Sequence, residues 1–192
     1  MKARSSSFFI LGMLRLGATS GYAIKKATDV SMRYFWPTSL AQVYPELGRL
    51  EQEGMVVRRD DSRGNRSRAA YEVSEEGQAA MLDWLRNSDE KPLRVRDEGM
   101  LRLYFADALP LADAIGLVRR LRARSAETGS ELRDEVLPLA EAFAKASGIR
   151  FPAITARFGA DLHAFTEEWF ANLERELSNE DGHPSHSGAS NP

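Results

Sequence analysis

Apolar residues recur at helical spacing through most of the chain, with one interruption where two short apolar runs flank a turn-rich stretch. Ser5–Ser7 precede Phe8-Phe9-Ile10-Leu11-Gly12-Met13-Leu14 and Gly17 follows, which predicts a hydroxyl-capped, buried first helix. Ser20 opens a second, short helix in which Ala23, Ile24 and Ala27 share a face while Lys25 and Lys26 project away. Pro37 biases Trp36 away from the helical region, and a third helix follows with Leu40, Val43, Leu47 and Leu50 as its apolar stripe. Either Thr38 or Ser39 caps it; Ser39 and Gln42 have the spacing of a capping box. At about 100° per residue, Thr38, Gln42, Pro45 and Arg49 fall opposite the stripe. Pro45 removes an internal hydrogen bond, so either the first turn starts later or the helix bends there.

Gly54 ends the third helix. Met55–Arg59 and Arg68–Val73 then read as two strands around a turn containing Gly64 and Asn65. Arg58, Arg59, Arg63, Arg66 and Arg68 make this hairpin basic, with Asp60 and Asp61 opposing them. Ser74 and the acidic pair Glu75-Glu76 start a fourth helix through Met81, Leu82, Trp84 and Leu85. Asn87–Pro92 has linker composition, and everything beyond it reads as helix. Leu101, Leu103, Tyr104 and Phe105 belong to a helix ending near Leu109-Pro110. A long amphipathic segment runs from Leu111 to about Lys145, where Gly129 and Pro138 allow breaks. Ile154, Phe158, Leu162, Phe165, Trp169, Leu173 and Leu177 form the stripe of a last helix. Asn179–Pro192 has the Ser, Gly, His and Pro content of a disordered tail. The expected division is 1–88, 89–178 and a tail over 179–192.

At 192 residues, 43% hydrophobic and 28% charged, the chain supports a buried core. No apolar run reaches the roughly 18 residues of a membrane-spanning helix, and Phe8–Leu14 is too short for a convincing signal peptide. A cytoplasmic location is expected, without membrane attachment. Zero cysteines exclude disulfides, thiolate nucleophiles and cysteine-bound metal. The charge is uneven: residues 1–88 carry 13 basic against 10 acidic side chains (+3), and residues 89–192 carry 13 against 18 (−5). A basic first half suits approach to a polyanion. No glycine-rich phosphate loop or nucleophile elbow is present. His163 has Gly159 and Glu167 at i±4 and reads as a surface or interface histidine rather than a metal ligand. Enzymatic activity, metal and cofactor are therefore not expected.

Helix, helix, helix, hairpin, helix in about 85 residues is the order of a winged helix-turn-helix, whose third helix can enter a major groove about 12 Å wide. The run Tyr44-Pro45-Glu46-Leu47-Gly48-Arg49-Leu50-Glu51-Gln52-Glu53-Gly54-Met55-Val56, with Trp36-Pro37 and Gly21-Tyr22-Ala23-Ile24 upstream, resembles the DNA-binding domain of PadR-type transcriptional regulators. Arg68–Gly77 and Gln78–Leu85 continue the likeness. Glu98–Leu109 is similar to the start of the C-terminal domain in the virulence-activator-like subfamily. One departure is Ala69, where the family's wing often carries a basic residue.

The resemblance implies a mainly α protein: an N-terminal winged helix-turn-helix and a C-terminal antiparallel helical dimerisation domain. It implies a homodimer, more often a repressor, on a pseudo-palindrome of double-stranded DNA with half-sites about 34 Å apart. Thr38, Ser39, Gln42 and Arg49 are then expected to face DNA, Gln42 reading adenine through its amide. Tyr22, Lys25, Lys26, Arg66 and Arg68 are expected at phosphates. The Phe158, Leu162, Phe165 and Trp169 stripe is either dimer core, or Phe165 and Trp169 with Tyr104 and Phe105 line a cavity for a small apolar or aromatic effector. A rival from another class is a helical protein-interaction module in which the winged helix is only a scaffold. A nearer rival is a multidrug sensor of a different winged-helix family.

Overall fold

The computed structural model describes residues 4–61, 68–87 and 96–181. The hairpin turn with Arg63 and Arg66, most of the expected linker, and the stretch 182–192 lie outside the described residues. The chain divides into two compact units, Met1–Pro92 and Leu93–Pro192. The first is a winged helix-turn-helix and the second an antiparallel helical assembly.

In the first unit α1 spans Ser5–Arg15, α2 Gly21–Ser31 and α3 Leu40–Gln52. The start of α1 differs from expectation, because Arg4 precedes its first turn and no serine stands at the cap. Ser7 lies inside the helix and is buried, its Oγ accepting the Arg4 N–H at 3.2 Å. Ser20 caps α2 as predicted, accepting the Ala23 N–H at 3.2 Å. Ser39, not Thr38, precedes α3, and α3 begins at Leu40 and runs through Pro45. The later start is thereby overturned, and the Ala41 carbonyl, which a Pro45 N–H would have met, lacks that internal partner. Gly54, at φ +71°, turns the chain out of α3, a conformation that L side chains rarely adopt.

Strands β1 (Val56–Asp61) and β2 (Arg68–Val73) pair antiparallel, from Val56 opposite Val73 to Asp61 opposite Arg68. The root of this wing is anchored on both sides. The Tyr71 N–H donates to the Thr19 carbonyl at 2.8 Å, and the Ser74 N–H to the Met55 carbonyl at 3.1 Å. Ser74 Oγ donates to the Gly54 carbonyl at 2.6 Å and accepts the Gly77 N–H at 3.0 Å, capping α4 (Glu75–Arg86). A Cβ on Gly77 would lie 2.1 Å from the Met55 carbonyl oxygen, so only glycine allows this approach.

The core under these elements is Ile10, Leu11, Met13, Leu14, Ile24, Val43, Leu47, Leu50, Val56 and Met81. Each fully buried Leu or Ile contributes about 1.5–3 kcal/mol relative to exposure. Leu40, expected in this core, is 37% exposed. Glu46 is buried in α3 instead.

The second unit opens with α5 (Glu98–Tyr104), where Asp97 accepts the Met100 N–H at 3.0 Å. A short 3-10 turn at Ala106–Ala108 leads to α6 (Leu111–Glu131), a π turn at Leu132–Val136, α7 (Leu137–Ser147) and α8 (Phe151–Asp181). Gly129, expected as a possible break, lies within α6; the geometry changes a few residues later, just ahead of Pro138. Gly148, at φ +76°, ends α7. Helix α8 runs back along α6 and α7: Arg119 meets Glu174, Gly129 meets His163, Leu132 meets Gly159 and Arg157 meets Glu141.

One expectation fails on α8. Asn179–Asp181, assigned to the tail, are helical. The apolar stripe divides: Leu173 and Leu177 pack on the core of their own chain with Leu117, Val118, Leu121 and Phe170. Ala153, Ala156, Ala160 and Phe170 turn inward, while Ile154, Phe158, Leu162, Phe165 and Trp169 are 44–67% exposed. Small residues let α8 pack closely on α6, and the bulky ones, on roughly the opposite side of the helix, are left uncovered.

Candidate nucleic-acid interface

The surface most suited to a polyanion is built from α3, the N-terminal turn of α2 and the wing. Helix α3 is amphipathic because Val43, Leu47 and Leu50 are buried, which leaves Ala41, Gln42, Tyr44, Pro45 and Gln52 exposed. Gly48 sits among these outward positions with nothing within 4 Å of where its Cβ would be. Ser39 and Gln42 form the reciprocal contact at the N-terminus: Gln42 Oε1 accepts the Ser39 N–H at 3.0 Å and its hydroxyl at 3.2 Å. Both acceptor sites of that oxygen are thus used. Bidentate reading of adenine through Oε1 and Nε2 therefore competes with the cap, and the amide Nε2 is the group with no such commitment.

Arg49 lines a concavity with Thr38, Gln42 and Pro45 and is the most heavily hydrogen-bonded of the expected residues. Expected on the DNA side, it is half-buried and folded back toward α1. Its Nη2 donates to Ser7 Oγ at 2.6 Å and to Glu46 Oε1 at 2.5 Å, its Nε to Glu46 Oε2 at 3.2 Å, and its Nη1 to Glu53 Oε1 at 2.5 Å. Ser7 completes the ring by donating to Glu46 Oε1 at 2.7 Å. The Arg49 hydrogen bond holds the Glu46 carboxyl below its usual range against the opposing effect of burial, and Ser7 assists. The same pairing raises the already high pKa of Arg49.

Tyr22 stands 65% exposed at the first turn of α2, and Lys26 is exposed beside it. Lys25 is ion-paired with Asp29 one helical turn on, so its charge is partly spent within α2. Thr38 is half-buried at the approach to α3. Arg68 is the first residue of β2; its side chain, like all of Arg66, lies outside the described residues. Arg59 pairs across the wing with Glu72 at 2.7 Å.

Sequence reasoning missed Tyr44, which is 51% exposed and lines one concavity with Ser20, Gly21, Tyr22, Ala69 and Tyr71. The helical wheel held the signal. Tyr44 lies one residue from Val43 and four from Gly48, on the edge of the outward face.

In the second unit Tyr104, Phe105, Phe165 and Trp169 are exposed, at 81%, 62%, 64% and 44%. Tyr104 and Phe105 pack edge to face at 5.0 Å, and Trp169 does so with buried Phe170 at 5.2 Å. The open concavity beside Tyr104 is walled by Arg96, Asp97, Glu98, Met100 and Leu101, with none of the other three aromatics in its lining. His163 is half-buried between α6 and α8, its Nδ1 without a hydrogen-bond partner. Burial first, and the charge of Arg124 second, lower its pKa below the ordinary value. No cluster of three or more metal-ligating side chains occurs among the described residues. No helix there is long and apolar enough to cross a membrane.

A helix with an outward polar face, braced by a three-helix core and flanked by a two-stranded wing, defines the winged helix-turn-helix class of DNA-binding transcription regulators. Residues 10–83 match the transcriptional regulator PadR-like family and residues 95–178 match the virulence activator alpha C-terminal domain. The chain is 33% identical, over 65% of its length and 69% of the relative's, to the negative transcriptional regulator PadR of Bacillus subtilis (strain 168). The crystal structure of Bacillus subtilis PadR in complex with operator DNA superposes with a TM-score of 0.82 at 25% identity, covering 91% of this chain and 99% of that one. The same protein in complex with p-coumaric acid gives 0.72 at 23% identity, covering 91% and 99%. The chain belongs to the PadR family of transcriptional regulators, with a virulence-activator-like C-terminal domain, and is a DNA-binding regulator rather than an enzyme.

Proposed function

We propose that this regulator is a homodimeric repressor that binds a pseudo-palindromic operator and is released by a small aromatic or apolar effector. The observation that carries the DNA part is the outward face of α3, with Gln42, Tyr44, Pro45 and Gly48 on a helix braced by buried Val43, Leu47 and Leu50. The exposed Tyr22 and Lys26 on α2 and the arginines of the wing supply groups suited to phosphates. Thr38, Ser39 and Lys25 belong to the rim of this face. Homodimerisation is supported by the uncovered α8 stripe, since a contiguous apolar face of this kind marks an interaction surface. The repressor and effector readings draw on the relative named a negative transcriptional regulator and on its complex with p-coumaric acid. An effector acts by binding two dimer arrangements unequally.

The test is fluorescence anisotropy of the full chain on duplexes from its own upstream region, with excess nonspecific DNA, at two salt concentrations. Saturable binding that survives competitor at one dimer per site is the expected result. Binding erased by salt or competitor on these duplexes and on a genome-wide pool of fragments would favour the scaffold alternative. Phenolic acids added to the specific complex should then lower the anisotropy.

A further inference from the structure

The Ser7, Glu46, Arg49 and Glu53 cluster is absorbed by none of the roles above. Glu46 is only 8% exposed, and one of its partners, Ser7, lies 39 residues away on α1. A buried ion pair is a weak source of stability, because desolvation offsets most of its attraction, and apolar residues of similar volume often serve as well. What it supplies is direction. Arg49 approaches both Glu46 oxygens through Nε and Nη2, which fixes angle as well as distance, whereas apolar contacts tolerate sliding. Ser7 Oγ has no spare capacity: it donates to Glu46 and accepts from Arg49 Nη2 and the Arg4 N–H. The cluster joins the first turn of α1 to the middle of α3, on the flank away from Tyr44, where Glu46 and Arg49 line one concavity with Thr38, Gln42 and Pro45.

We infer that Glu46, with Arg49 and Ser7, is a positioning element that sets the rotation of α3 about its own axis on α1, and through it the sequence specificity of DNA reading. The inference rests on the DNA-binding reading above. About 100° separates successive residues of a helix, so a turn of a fraction of that angle withdraws one side chain from a base edge and presents another. Arg49 is accordingly a support of the interface and not a contact in it.

The sign of one substitution separates positioning from direct contact. Glu46→Gln removes a negative charge close to a polyanion, so electrostatics alone makes every duplex bind more tightly. Positioning requires the opposite for the operator: its affinity falls while nonspecific affinity holds or rises.

The experiment uses the full chain in anisotropy titrations on its operator and on a scrambled duplex, over a salt series. Wild type is compared with Glu46→Gln, Ser7→Ala, Arg49→Lys, Arg49→Ala and the double variant Glu46→Leu/Arg49→Met, and urea unfolding is recorded for each. The ratio of operator to nonspecific affinity should fall by about 10-fold or more in each variant, the scale of one lost bidentate base contact, with the salt slope unchanged. The double variant keeps an apolar seam between α1 and α3, so its unfolding midpoint should stay near that of wild type while its specificity falls. Wild-type specificity in Glu46→Gln and in the double variant would overturn the inference. So would a salt slope reduced by about one in Arg49→Ala with Glu46→Gln unaffected, which marks Arg49 as a phosphate contact. A wild-type protein without preference for any duplex would overturn the DNA-binding reading, and this inference with it.

Discussion

Replacing Phe165 by alanine probes the uncovered face of α8 most directly. Phe165 is 64% exposed and Phe158, almost two turns earlier, is 67% exposed. A Phe side chain carries about 150–250 Å², so roughly 130 Å² of the Phe165 ring is in water, worth ~3 kcal/mol if wholly covered at about 25 cal/mol/Å². Coverage of about half leaves ~1.5 kcal/mol. In an isologous dimer each substitution occurs twice, so Phe165→Ala should weaken association by ~3 kcal/mol, on the order of 100-fold in Kd. The fold should lose little, since an exposed ring is removed and alanine favours helix. Sedimentation velocity from nanomolar to tens of micromolar protein reads the dissociation constant, and urea unfolding of each unit checks that the fold is intact. An unchanged dimer constant in Phe165→Ala would show that this face is not the interface. A wild type that stays monomeric throughout would refute the reasoning more broadly.

Two further outcomes follow from single positions. Gly48→Ala fills open space on a helix, so thermal unfolding should show a gain of about 0.5–1 kcal/mol from helix propensity. Operator affinity should nevertheless fall, because the added methyl lies on the outward face of α3; equal or tighter binding would move the DNA away from Gly48. Because the neutral form of His163 is favoured on folding, the unfolded chain binds more protons below its ordinary pKa near 6.5. Stability of the second unit should thus be flat above about pH 7.5 and decline from about pH 6.5 downward, before the carboxylates titrate. Hydrogen exchange of α6 and α8 amides between pH 5 and 8 reads this, and His163→Gln should abolish the slope in that window; an identical slope in the variant would exonerate the histidine.

The sequence carried the local logic of this chain better than its long-range ties. Ser20, Ser39 with Gln42, and Ser74 announce three helix starts because capping is decided within four residues. The partners of Arg49 are hidden by the same locality. A helical wheel puts Arg49 among polar residues, and the spacing to Glu46 and Glu53 permits intrahelical pairing, but Ser7 comes from 42 residues away. Leu40 fails for the complementary reason: it has the right angle, yet it stands at the first turn of α3, where the core does not extend. On α8 the bulky apolar stripe is legible from its spacing, whereas the face that meets α6 is not. The inward face was the one with Ala153, Ala156 and Ala160, since only small side chains allow close contact with α6. The bulky face from Ile154 to Trp169 stays exposed in the single chain, which suits a stripe read as dimer core or cavity wall.

The anchoring at Gly54, Met55, Ser74 and Gly77 bears on how operators for this regulator can vary. Helix α3 and the wing leave the same hinge point with hydrogen bonds on both sides and no room for a Cβ at Gly77, so they behave as one lever of fixed shape. Adjustment to an operator of altered groove width cannot come from swinging the wing root relative to the helix. The DNA itself must deform, and flexible pyrimidine–purine steps between the two contact regions become selectable features although no side chain touches them. Operators related by such steps should therefore tolerate changes at contacted bases better than operators with stiff, A-tract-like spacers.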